Sequence, residues 1–130
     1  MLKFSNPGGV APPFGAYSHS VEASGALRWL TLSGQVGVTP DGTLANGFQG
    51  QAEQTFRNLI AILQSEGYGL GDVVKINTFL TRSSDVAAYR GVRDKMLQGK
   101  KPASTLLVVD ALANPDWLIE VEAIAAKTEE

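Results

Sequence analysis

Hydrophobic and polar positions along this chain change period several times, and each change marks an element. From Phe48 to Glu66, Ala52, Phe56, Leu59, Ile60 and Leu63 recur at spacings of four, three, one and three, one face of a 3.6-residue period that predicts a helix. The glycines of "GYGLGD" close it. A second helix is expected from Asp85 to Leu97 through Val86, Tyr89, Val92, Arg93 and Met96, with Ser84 as its N-cap. Elsewhere the period is two. "AYSHSVEA" and "LRWLTLSGQV" read as strands joined by a hairpin at "ASGA", and "VVKINTFL" places Val74, Ile76, Thr78 and Leu80 on one side. "TLLVVD" and "WLIEVEAIA" follow, joined by "ALANPD". The Gly- and Pro-rich opening "MLKFSNPGGVAPPFG" and "TPDGTLANG" read as loops. The order β-β-α-β-α-β-β predicts an α+β domain over residues 1–130, with two helices packed on one face of a single sheet.

The last strand breaks its own pattern. Trp117, Ile119, Val121, Ala123 and Ala125 share one face, and Leu118, Glu120, Glu122 and Ile124 share the other. If helices cover the first face, two carboxylates stand on the uncovered one among apolar neighbours. With "TLLVVD" beside it, apolar on both sides, that face is expected to meet another subunit. A carboxylate there is partly desolvated, and must be paired, protonated or employed.

Composition narrows the chemistry. A net charge of −2, with no basic run beyond Lys100-Lys101, argues against a nucleic-acid partner. The absence of cysteine removes disulfides, thiolate nucleophiles and sulfur-ligated zinc, and with one histidine no metal site is expected. No segment approaches the roughly 20 apolar residues of a membrane span and no leader pattern opens the chain, so no membrane partner and a cytoplasmic location are expected.

"GAYSHSVEA", "LTLSGQVGVTPDGTL", "QAEQTFRNLIAILQSEGYGLGDVVKINTFLT", "KPASTLLVV" and "LIEVEAIA" together resemble the RidA family, also called YjgF, from about Phe14 to Ala125. The resemblance implies a chorismate-mutase-like α+β fold and a homotrimer whose sheets form an inner barrel, with a small-molecule ligand in each intersubunit cleft. It also implies hydrolysis of reactive enamines and imines to ketones and ammonia, with no cofactor. In that chemistry a carboxyl group places a water and moves protons, and a cation holds the substrate carboxylate. By resemblance Glu120 is the water-positioning glutamate, and Tyr17 lines the cleft. Ser33 and Gly34 fall on the "SGQ" turn at its wall, and Leu106 contacts the ligand through its backbone. Glu122 looks structural, an ion pair across subunits.

One departure matters. Active deaminases of this family carry "PAR" before the strand that here reads "PASTLLVVD", so Ser104 stands in the place of the arginine that grips the substrate. A serine keeps a hydrogen bond but no charge, and each lost charged hydrogen bond costs about 1.5–3 kcal/mol. Arg90, where many relatives have asparagine, is the candidate substitute cation, against the plainer reading of a solvated helix side chain. Arg93, Lys100 and Lys101 are expected to be surface charges. His19 is expected to be a hydrogen-bonded interface residue, and Trp29 and Trp117 core or interface residues. Three functions stay open: a deaminase with a non-standard substrate, a non-catalytic small-molecule-binding trimer and, weakest, an endoribonuclease or translation inhibitor.

Overall fold

A computed structural model describes residues 1–129. Its elements are β1 (Leu2–Ser5), β2 (Ser20–Ala23), β3 (Leu27–Gln35), α1 (Gly47–Ser65), β4 (Val73–Leu80), α2 (Val86–Met96), β5 (Ala103–Val108) and β6 (Ile119–Thr128). The α+β class and both helices are as the periodicity predicts. The single sheet is not. Four strands in the order β3-β6-β4-β5 form the main sheet, and β1 pairs antiparallel with β2 in a separate ribbon. β1 lies in the segment read as loop, because four residues are too few to display a period.

The expected hairpin at "ASGA" therefore does not form. β2 pairs with β1, β3 pairs with β6, and the chain turns between them at Gly25, whose φ of 94° suits glycine. "TLLVVD" is likewise not beside "WLIEVEAIA". β4 lies between them, antiparallel to β6 and parallel to β5, with α2 as the crossover that a parallel pair requires. A register shift between Val73 and Lys75 buries Val73 in place of Val74, after which Ile76, Thr78 and Leu80 follow the predicted alternation.

One core lies between the helices and one face of the sheet. Phe56, Leu59 and Leu63 of α1 and Tyr89 and Val92 of α2 pack on Ile76 and Leu80 of β4 and on Ile119, Val121 and Ala123 of β6. Each large side chain so buried contributes about 1.5–3 kcal/mol. Ser84 does not cap α2; the N-cap position is Asp85, whose carboxylate accepts from Arg82 at 2.7 and 3.2 Å. Trp29 is 56% exposed and belongs to no part of this core.

The other sheet face carries Glu120 opposite Phe79 and Glu122 opposite Asn77, all half-buried. It is more polar than expected: Lys75 Nζ on β4 donates to Thr105 Oγ1 on β5 at 2.9 Å.

Candidate functional site

The expected site residues fall into two groups. The first surrounds a cavity of 230 Å³ at the β5 edge of the sheet. Ser18 builds one wall. Its amide donates to Pro102 O at 3.3 Å and its buried hydroxyl to Lys101 O at 2.8 Å, which straps the incoming chain to the start of β5. The strap sets Phe14, Gly15 and Tyr17 over the cavity, and the Phe14 amide donates to the Tyr17 phenol oxygen at 3.1 Å. Ser104 and Leu106 form the β5 wall. They pair with buried Ile76 and Thr78, so both lie on the helix side of the sheet.

Helix α2 supplies the third wall through Tyr89, Arg90 and Arg93, one face at spacings of one and three. Tyr89 is buried, with its phenol oxygen 2.6 Å from the Thr78 hydroxyl. Burial pushes its phenol above the ordinary value of 10.0, while the Thr78 hydrogen bond and the Arg93 charge pull it down. The phenol is therefore neutral at physiological pH. Arg90 lies exposed at the rim, so it does reach the cavity.

Arg93 corrects the sequence reading. It is not a surface charge but 5% exposed, with its guanidinium 5.7 Å from the Tyr89 ring centre and Nε donating to Asp94 Oδ1 at 3.1 Å. A residue on the apolar stripe of a helix beside tyrosine and valine is a candidate for burial whatever its charge, and that was the signal available. Lys100 and Lys101 are exposed, as expected.

The second group lies on the open face. The β3–β6 ladder is in register as far as Leu32 and resumes at Gln35, so Ser33 and Gly34 form a bulge within β3 instead of a turn after it. The Glu120 carboxylate lies directly over Gly34, where a β-carbon would overlap its Oε2. Glu120 is half-buried, and among the described residues no hydrogen bond or ion pair engages its carboxylate. Glu122 makes no ion pair among the described residues either.

Two amides of α1 hold this region. Gln51, 3% exposed, donates to Asp116 O at 3.2 Å and accepts from Leu118 N at 2.9 Å, fixing where β6 begins. Asn58 donates to Val36 O at 3.0 Å and Val38 O at 2.9 Å, fixing how β3 ends. The sequence reading missed both. Gln51, Thr55 and Asn58 recur at i, i+4 and i+7 along the apolar face, a polar stripe whose buried atoms need partners.

The chain does not bring its two groups together. Glu120, Ser33 and Gly34 stand apart from the residues that line the cavity. The backbone amide of His19 donates to Asn6 Oδ1 at 2.8 Å, and within the chain its buried Nδ1 has no partner among the described residues. Among those residues no three His, Cys, Asp or Glu side chains are placed to hold a metal ion.

Comparison with known proteins bears on both groups. The sequence model of the family described as endoribonuclease L-PSP matches residues 8–127. A RutC family protein of Pyrococcus horikoshii is 35% identical over 117 residues, 88% of this chain and 90% of that protein. A protein of Dermatophagoides farinae named 2-iminobutanoate/2-iminopropanoate deaminase is 31% identical over 118 residues, 88% of this chain and 89% of its own length. Among solved structures, a protein of unknown function from the conserved Rid family of Yersinia pestis superimposes with a TM-score of 0.84 at 33% identity, covering 95% of this chain and 97% of the other.

Proposed function

The chain belongs to the endoribonuclease L-PSP family, the RidA/YjgF family, and from that premise we propose that it is a hydrolytic deaminase of a small enamine or imine metabolite. The observation that carries the reading is the Glu120 carboxylate, uncommitted and half-buried over a glycine bulge. Such a group can hold a water and pass a proton, the two tasks that imine hydrolysis asks of a protein. Water adds across the C=N bond, giving a carbinolamine. Its collapse expels ammonia and leaves a ketone. Glu120 takes one proton from the attacking water and passes it to the imine nitrogen, then takes the carbinolamine hydroxyl proton and passes it to the departing amine, so that both protons of the water leave on ammonia.

The second part of the proposal is a homotrimer. One chain holds Glu120 on the open sheet face and the polar cavity at its edge, beside α2. A neighbouring copy that docks its open face against that edge completes a cleft with both. The half-buried Phe79 and the exposed Leu107, on the same face, are the apolar surface that docking would cover. A small enamine or imine would occupy the cleft, and no cofactor enters the reaction. The ribonuclease reading has the acidic balance of the chain against it, since RNA binding rests on a basic groove.

The test generates 2-imino acids in situ with an amino-acid oxidase and follows their decay with semicarbazide as the competing trap. Wild type should accelerate decay, and Glu120→Gln should lose about 10²- to 10⁴-fold of that rate with an unchanged melting temperature. Equal activity in both proteins would remove Glu120 from the mechanism. No activity in either would favour a binding protein. Sedimentation equilibrium at trimer mass tests the assembly.

A further inference from the structure

The cavity contains a cation whose ends have no assigned work. Arg93 is 5% exposed, and among the described residues only its Nε has an acceptor, Asp94. Among the described residues nothing accepts from Nη1 or Nη2. The guanidinium is not sealed away: Nη1 and Nη2 are not among the buried atoms left without a partner, so they keep access to the cavity. The carboxylate that engages it is itself half-exposed, with 54% of the Asp94 side chain open to solvent. The remaining two nitrogens lie along the cavity beside Gly15. There a β-carbon would come within 3.0 Å of Nη2, so the glycine leaves the space that the guanidinium occupies. On the β5 wall Ser104 offers a hydroxyl that has no partner among the described residues, and none of those residues brings a carboxylate to the cavity lining.

We infer that Arg93, with Ser104, is the anion grip of this cavity and takes the carboxylate of a small 2-oxo or 2-imino acid. Nη1 and Nη2 donate the two parallel bonds that a planar carboxylate accepts, and the Ser104 hydroxyl donates a third. The grip comes from helix α2 instead of strand β5. It therefore holds the ligand's acid group from the helix side and leaves room at β5, where Ser104 is small. At 230 Å³ the cavity has room for a short-chain acid. Arg93 is thus a specificity-determining residue. The inference rests on the deaminase reading for the identity of the ligand, but its test does not require turnover.

The probes are pyruvate, which carries the carboxylate of the expected product, and pyruvamide, its neutral counterpart. Both are titrated calorimetrically into the full chain. Wild type should bind pyruvate about tenfold or more tighter than pyruvamide. Arg93→Gln should lose that preference. Arg93→Lys, which keeps a charge but not the fork, should keep part of it. Gly15→Ala should weaken the preference as well, by displacing Nη2. Overturning results are a folded Arg93→Gln protein that still prefers pyruvate, or a preference that disappears in Arg90→Gln instead. If Arg93→Gln does not fold, Arg93→Lys and Gly15→Ala decide: undiminished preference in both overturns the inference. Measuring the same binding in Glu120→Gln separates the two readings. Arg93-dependent binding without hydrolysis by wild type sinks the deaminase, whereas hydrolysis without Arg93-dependent binding sinks the grip.

Discussion

Glu120 and Arg93 stand on different sides of one sheet, and different physics holds each of them. Glu120 is placed by strand geometry. Alternation along β6 turns it to the open face, and the bulge at Ser33–Gly34 removes the side chain that would displace it. Arg93 is placed by assembly. A helix, a strand edge and a strapped loop, from three distant parts of the chain, must meet before the cavity exists. Part of a site built on strands tolerates little change in the backbone but needs few partners. Part of a site built between elements needs every element in place.

Glycines at the end of β3 give the sharpest way to break this comparison. Gly34→Ala sets a methyl group against the Glu120 carboxylate, a side chain that can rotate away. Hydrolysis should fall by about 10²-fold, as for a catalytic group misplaced by an ångström, while the melting temperature barely moves. Retained activity would mean that the position over Gly34 is not the working one. Gly37→Ala presses instead on backbone, 2.5 Å from Gln51 Cα, which cannot swing aside. It should cost about 1–3 kcal/mol in urea denaturation, and an unchanged midpoint would show that α1 shifts freely.

Gln51→Leu sharpens the claim that α1 holds the acidic side. It leaves the Leu118 amide and the Asp116 carbonyl without their partner, a loss of about 1–3 kcal/mol by denaturation. Hydrolysis should fall as well, because the released Leu118 lies two residues before Glu120 on the chain leading into β6.

Tyr89→Phe tests the cavity side and is the smallest effect, about 1 kcal/mol for the hydrogen bond to Thr78. Its pH dependence carries a sign. The folded phenol is pushed above its ordinary 10.0, so its contribution is complete below pH 10.0 and is lost as pH rises through the folded value. Alkaline denaturation should be less steep in Tyr89→Phe than in wild type. Equal slopes would place the alkaline transition elsewhere.

Much of this molecule was legible because two periods are local. The stripes of both helices, the alternation of β6 and the placing of Glu120 and Glu122 on its outer face follow from residue spacing alone, while the quoted motifs identify the family and single out Glu120. Strand partners were not legible. Nothing local in "LKFS" says that it pairs with Ser20–Ala23, and nothing in "TLLVVD" says that β4 will separate it from β6. Pairing is decided by hydrogen bonds between distant segments, which sequence spacing does not encode. Arg93 shows the same limit in a single side chain. Its place on the helix stripe could be read from the sequence, but its burial depended on the loop at Gly15 arriving beside it, and only the tertiary structure brings those together.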